Sequence, residues 1–179
     1  GENRLLVRHG LEVLNSLRRP GVAALSRVAG LKPGRITAET IGFVLGPRLN
    51  AAGRLSHAYD AARLLASANE PSAERFAHDL NRLNQQRRTL TQQLSEQAET
   101  MIAGGAPILI AGGSGFVAGV VGLVASRLAE KYYRPAIVMA TTGETITYAE
   151  LDAEANRLSR LFRAAGLKPG DHVAFCLEN

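Results

Sequence analysis

No tryptophan occurs among the 179 residues and aromatic residues of all kinds make up 5%, yet 46% of the chain is apolar. Such an alanine- and leucine-rich, aromatic-poor composition argues against a β-sandwich core and suits packed helices. A single cysteine, Cys176, excludes an internal disulfide and a cysteine-based zinc site, so a reducing, cytoplasmic setting is expected. No apolar run approaches the ~18 residues of a membrane span, and no leader pattern opens the chain, so no membrane partner is expected. The chain starts on Gly1 rather than Met, which points to a processed product or a fragment. Histidines 9, 57, 78 and 172 each stand alone, and Asp60, Asp79, Asp152 and Asp171 are scattered with no His-His or Asp-x-Asp pair. Two-metal hydrolysis needs several such ligands packed around ions about 4 Å apart, so neither metal ligands nor catalytic residues are expected.

What the chain has in excess is arginine. Residues 1–140 carry 17 Lys and Arg against 10 Asp and Glu, and 15 of those 17 cations are arginines. Residues 141–179 carry 4 against 6, so the basic charge belongs to the first part. Planar, permanently charged guanidinium forks suit phosphate oxygens better than lysine does, which makes nucleic acid a candidate partner.

Periodicity reads as an α/β chain that is predominantly helical. Short helices are expected over residues 5–14, 22–29 (closed by Gly30) and from an N-cap at Thr37 onward, and again over 56–68 with Ala58, Ala61, Ala62, Leu64 and Leu65 packed inward. From an N-cap at Ser72 the pattern continues to Ile102. Phe76, Leu80, Leu83, Arg87, Leu90, Leu94, Gln97 and Met101 repeat at spacings of four and three, on a helix of about 30 residues and so ~45 Å long. A buried strand over 106–111, a glycine loop at Gly112-Gly113-Ser114-Gly115, a helix over 118–132 and a second strand over 136–140 follow. Gly113-x-Gly115-x-x-x-Gly119 is a weak match to a dinucleotide loop, and the acidic residue such a loop requires after the second strand is absent. The expected organisation is a helical subdomain (1–70), a long connecting helix (71–103), a small strand–helix–strand unit (104–140) and a second such unit as a tail (141–179).

The densest stretch is Leu45-Gly46-Pro47-Arg48-Leu49-Asn50-Ala51-Ala52-Gly53-Arg54-Leu55. Pro47 is expected to bend or stop the incoming helix, and Gly53 to allow a sharp turn or a close approach to a ligand. Arg48 and Arg54 then offer two forks at one corner; a solvated helix elbow is the other reading of the same residues. The run PRLNAAGRL, preceded by GENRLLVRHGLEVL and followed by GVVGLVASRLAEKYYRPAIV, resembles the RecJ-type 5′→3′ exonucleases of the DHH phosphoesterase family, which act on single-stranded DNA. The resemblance covers roughly residues 1–140 in the family's own order.

By that resemblance residues 1–70 are the helical end of a DHH-type catalytic domain, the long helix bridges to the DHH-associated domain, and 104–140 begin that domain. It implies backbone contacts from Arg48, Asn50, Gly53 and Arg54, and a turn at Gly119, Gly122, Ser126 and Arg127 that brings amides and a serine near phosphate, with Arg82, Arg87 and Arg88 facing the groove. Phe116-Val117 stand where the family often carries Trp-His. Close packing at Gly119 and Gly122 is the structural alternative. The family's metal ligands, Asp-His-His among them, lie upstream of the residues matching Gly1, so Mn²⁺ or Mg²⁺ is implied for a complete family member and no cofactor for this chain.

After Ala140 the family's Gly-Ser-Arg and Gly-Gly-His motifs do not appear. The chain instead reads GETITYAELDAEANRLSRLFRAAGLKPGDHVAFCLEN, which resembles the opening of adenylate-forming, AMP-binding acyl-CoA and amino-acid ligases. There a Thr147-x-x-Glu150 capping box, a helical face of Leu151, Ala155, Leu158, Phe162 and Ala165, a cap at Gly166 with Leu167, and a strand over 173–177 are expected. The functional expectation is an exonuclease-like fragment of DNA repair and recombination, inactive alone, with residual weak binding of single-stranded DNA. A helical interaction module self-associating through the long helix and a truncated ligase are the alternatives.

Overall fold

A computed structural model of the protein describes residues 1–102, 104–141, 147–164 and 166. The chain forms two compact units, Gly1–Thr141 and Thr142–Asn179. The first holds seven helices and one parallel strand pair among its described residues; the α/β, predominantly helical class is the one expected.

Helix α1 spans Glu2–Asn15 and α2 spans Pro20–Val28, followed by Gly30 at φ +73°. The Asn15 amide ties the end of α1 to Ile36: Nδ2 donates to the Ile36 carbonyl and Oδ1 accepts from its N–H, both at 2.8 Å. Thr37 caps the short α3 (Ala38–Thr40) through a reciprocal bond pair with Thr40. Here the elbow expectation is corrected. One π-helical turn, Ile41–Leu45, leads directly into α4 (Gly46–Leu55), so the chain stays helical through Pro47. Proline is tolerated because it lies in the first turn of α4, where a missing N–H costs little. Gly53 is an interior helical residue rather than a hinge; the chain turns at Ser56 instead.

Helix α5 is shorter than expected, Tyr59–Ala66, and of its expected packing face only Leu64 is fully buried, with Ala61 half-buried and Ala58, Ala62 and Leu65 exposed. Helix α6 runs Glu70–Met101, 32 residues or ~48 Å. Its cap is Asn69, whose side chain accepts the Ser72 N–H at 3.0 Å; Ser72 is thus the capped residue and Pro71 sits harmlessly in the first turn. The stripe also shifts. The buried positions are Ala73, Ala77, Leu80, Asn84, Thr91, Leu94, Ser95 and Ala98, while Phe76, Leu83 and Leu90 flank them half-buried and Gln97 and Met101 are exposed. Alanines on that line let α2, α4 and α7 approach the axis of α6 closely, which large residues would prevent.

Two hydrophobic clusters share this rod. One joins Val22, Leu25, Ile36, Leu45, Leu64 and Leu80; the other joins Leu94, Leu109, Phe116, Val124 and Leu128. Between them the buried line of α6 turns polar at Asn84, Arg87 and Thr91, with the Thr91 hydroxyl donating to the Arg87 carbonyl at 2.7 Å and the Ser95 hydroxyl to the Thr91 carbonyl at 2.6 Å. Because both clusters cover α6 from within the chain, its apolar face is already occupied.

Strand β1 is Leu109–Gly113, displaced three residues from the expected start, α7 is Ala118–Tyr132 and β2 is Ala136–Ala140. The strands pair in parallel from Leu109↔Ala136 to Gly113↔Ala140. The outer face of the pair leaves Ile110, Ile137 and Met139 exposed. In the second unit α8 spans Tyr148–Ala164, opened by the expected box: Glu150 Oε2 accepts from the Thr147 N–H at 2.7 Å, and the Thr147 hydroxyl accepts from the Glu150 N–H at 3.2 Å. Gly166 has φ +87°, as a cap requires. The side chain of Leu151, Ala165, Leu167 and the expected strand 173–177 lie outside the described residues.

Candidate nucleic-acid interface

Helix α4 presents two faces set by its own sequence. Ala51 and Ala52 are both fully buried, and Ala52 packs in the cluster that includes Ala73, Ala77 and Leu80 of α6. Arg48 and Asn50 precede them, and Arg54 ends the helix, where a cation also meets the negative end of the helix dipole. Arg48 is half-buried: its Nε donates to Asn81 Oδ1 of α6 at 2.9 Å, and its Nη1 to the Val44 carbonyl in the π turn at 2.7 Å. Burial pushes its pKa below the usual arginine value, and the nearby charge of Arg88 adds to the effect. Asn50, Gly53 and Arg54 are exposed.

Arg54 reaches across to α7. Its Nη1 donates to the Gly119 carbonyl at 3.0 Å. A Cβ at Gly119 would stand 2.0 Å from the Arg54 carbonyl oxygen, so the end of α4 and the start of α7 touch backbone to backbone. Glycine is required there for packing. Gly122 has open space around it and is exposed, so the packing alternative holds at Gly119 and not at Gly122. The expected turn at 119–127 is instead the body of α7, with its amides committed to the helix from Val120 onward. Ser126 and Arg127 lie exposed on it, and Arg127 Nη1 donates to Gln92 Oε1 of α6 at 3.1 Å. Phe116, at the family's Trp-His position, is buried in the second cluster.

The structure therefore brings Arg48, Arg54, Gly119 and Arg127 onto one seam where α4, α6 and α7 meet. Arg87 and Arg88 of α6 complete it: burial first, then the charges of Arg54, Arg88 and Arg127, push the pKa of Arg87 down. Arg82 faces elsewhere in its bonding, pairing with Asp79 at 3.2 Å. Sequence reasoning missed the amides Asn81, Asn84 and Gln92 that hold these forks; they fall with Arg88 on one side of α6 at helical spacing, and that spacing was the available signal.

Among the described residues no three of His, Cys, Asp and Glu come together in a group able to hold a metal ion. The described residues by themselves do not form a two-metal centre. Likewise, among the described residues no helix is long and apolar enough to cross a membrane.

Comparison with known proteins relates most of the chain to RecJ proteins. A single-stranded-DNA-specific exonuclease RecJ of Bacillus subtilis is 37% identical over 146 residues, covering 80% of this chain and 19% of the relative. The crystal structure of RecJ in complex with Mg²⁺ from Thermus thermophilus superposes with a TM-score of 0.71 at 30% identity, covering 88% of this chain and 26% of that one. The chain spans between 19% and 32% of the length of the RecJ relatives it matches. Residues 125–179 match the AMP-binding enzyme family, beginning inside α7 rather than at 141. Human long-chain fatty acid transport protein 1 is 53% identical over 45 residues, 25% of this chain and 7% of the relative.

Proposed function

The chain is RecJ-like over most of its length, and from that premise we infer that it binds the sugar-phosphate backbone of single-stranded DNA along the α4–α6–α7 seam and does not itself cut it. The observation that carries this reading is the convergence of Arg48 and Arg54 of α4 and Arg127 of α7 along α6, each guanidinium held by a neutral oxygen of Asn81, Gly119 or Gln92. A carboxylate partner would cancel their charge; an amide or carbonyl oxygen aims the fork and leaves the charge available to phosphate. Asn50, Gly53, Gly122 and Ser126 line the exposed flanks of α4 and α7, where a strand's sugar and phosphate oxygens would pass.

Binding of this type releases counterions and reads no sequence. It is weak, it falls steeply with salt, and its setting is a reducing cytoplasm and the chemistry of DNA repair and recombination. Divalent metal belongs to the complete family member, whose ligand set this chain's described residues do not reproduce. Self-association through α6 is not part of the reading, because the apolar face of that helix is covered by the chain's own clusters. The ligase-like tail contributes a capped helix and no adenylation step. The test is fluorescence anisotropy of a labelled oligo-dT against the purified chain across a salt series. Binding that weakens with salt and is shared by mixed-sequence strands supports the reading, and absence of binding at low salt overturns it.

A further inference from the structure

Several cations among the described residues are neutralised by acids. Arg27 pairs with Glu70 and Glu74, Arg82 with Asp79, and Lys131 with Glu99. Arg48, Arg54, Arg87, Arg88 and Arg127, by contrast, have no carboxylate within ion-pairing distance among the described residues, although they share one seam. Arg48, Arg87 and Arg127 each donate to a side-chain amide of α6, namely Asn81, Asn84 and Gln92. Three forks held by three amides on one helix give a set of fixed directions with the positive charge left whole.

Arg87 stands at the centre of the set, on the polar waist between the two hydrophobic clusters. Its Nη2 donates to Asn84 Oδ1 at 3.0 Å, while its Nε is buried and has no hydrogen-bond partner. A buried N–H of a cation left unpaired is costly, and folded proteins retain such groups where a ligand or function uses them. Like charges on Arg54, Arg88 and Arg127 add to the cost. A purely structural arginine at this position would be expected to sit beside an acid, as Arg27 does.

We propose that Arg87 is the floor of a phosphate socket at the waist of α6, flanked by Arg54, Arg88 and Arg127, which takes one phosphate group of the strand. The proposal rests on the reading above that this seam holds a nucleic-acid backbone, and it extends that reading to a residue outside both family-like motifs. A bound phosphate supplies acceptor oxygens to the guanidiniums of the seam and neutralises their crowded charge. Anion binding should therefore raise the stability of the fold as well as capture the strand.

The experiment uses the full chain and its Arg87→Met variant, which keeps the apolar stem and removes the charge. Melting is followed while inorganic phosphate replaces chloride at constant ionic strength, and oligo-dT binding is measured in parallel. The expected result is a saturable rise in melting temperature with phosphate for the parent chain and none for Arg87→Met. The variant loses the bond to Asn84 along with the unpaired Nε, so its own melting temperature without phosphate is the baseline for its series. Its dissociation constant for oligo-dT should rise about tenfold, and its log–log salt slope should become shallower by about 0.7. Unchanged DNA affinity and slope in Arg87→Met would reject the socket while leaving the broader reading intact. A phosphate-dependent melting shift that needs Arg87, in a chain that binds no DNA, would support the socket and reject the broader reading. Absence of both effects in the parent chain rejects both. Should Arg87→Met fail to fold, the exposed Arg88→Gln carries the test, with loss of the phosphate shift expected and its retention overturning the proposal. Comparing 5′-phosphorylated with 5′-hydroxyl strands tells a terminal monoester from an internal diester as the group bound; a gain that requires Arg87 with either one supports the socket.

Discussion

The guanidinium of Arg54 donates to the carbonyl of Gly119 at 3.0 Å, and the backbone of Arg54 lies so close to Gly119 that a methyl group there would stand 2.0 Å from the Arg54 carbonyl oxygen. One residue of α4 thus fixes the start of α7 twice, through its side chain and through its main chain. The seam that gathers the arginines exists because this one position lacks a side chain.

Gly119→Ala is accordingly predicted to push α4 and α7 apart. The contact is with backbone, so no rotamer change relieves it, and overpacking of this kind costs about 2–3 kcal/mol. For a unit of this size that corresponds to a fall of roughly 5–10 °C in melting temperature by calorimetry. Gly122→Ala, three residues on with open space around it, serves as the control and should change stability by under about 0.5 kcal/mol. Equal losses from both changes would contradict the packing role assigned to Gly119.

Arg48 and Arg54 differ in what their removal should do. Arg48 is half-buried and holds Asn81 and the π-turn carbonyl of Val44, so Arg48→Ala should lower stability by about 1–2 kcal/mol in addition to weakening binding. Arg54 is exposed, and Arg54→Ala should leave stability within about 0.5 kcal/mol. If each contacts one phosphate, the double change should make the log–log salt slope shallower by about 1.4, with affinity falling alike for every single-stranded sequence. Anisotropy titrations at several salt concentrations, accompanied by melting curves, separate the two effects. An unchanged slope would remove these residues from the interface.

Much of the framework was legible because its signals are local. A helix over 118–132 and a strand over 136–140 match the observed bounds, Thr37 is the N-cap expected of it, and the Thr147 box forms as its spacing implies. Each is decided by a few neighbouring residues. The buried line of α6 was not legible in the same way. Hydropathy points to Phe76, Leu83, Leu90 and Met101, whereas the line of closest approach runs through Ala73, Ala77, Asn84, Thr91 and Ala98. Helix axes come nearest where side chains are smallest, and the partner helices determine where that is.

The site shows the same division. Arg48 and Arg54 stand out in the sequence because proline and glycine surround them, but the helix runs straight through both. Pro47 falls in the first turn, and the π turn before it takes up the irregularity, which no residue preference announces. Arg87 was visible as an arginine within an apolar stripe. That it lacks an acid partner and buries its Nε depends on α4 and α7, distant in sequence, and only coordinates show it.

Incubation of the purified chain with Mn²⁺ and 5′-phosphorylated single strands is predicted to leave the strands intact. In-line phosphodiester hydrolysis needs ions held by several clustered ligands, and among the described residues no such group forms. Product analysis on a denaturing gel over hours, with the same protein fraction shown to bind the strand by anisotropy, checks this. Degradation that co-purifies with the chain and is abolished by chelation would overturn the division of labour drawn here between holding and cutting.

The cap of α8 carries a pH dependence of definite sign. Hydrogen bonds from the backbone N–H and the hydroxyl of Thr147 hold the Glu150 carboxyl below its usual pKa. A group whose folded pKa is depressed contributes stability that is present above its unfolded pKa, about 4.3, and that is lost as pH falls through the folded value. Helicity of residues 148–164 should therefore be flat from neutral pH down to about 5 and decline below about 4. Thr147→Ala removes both the donor hydroxyl and the acceptor for the Glu150 N–H, and should cost α8 about 1 kcal/mol at neutral pH. In that variant the acid-dependent part of the loss should be smaller, since one of the hydrogen bonds that depress the pKa has gone. Amide exchange of α8 followed from pH 7 to pH 3 in the two proteins measures both effects. Parallel pH profiles differing only in level would show that Glu150 owes its low pKa to something other than this box.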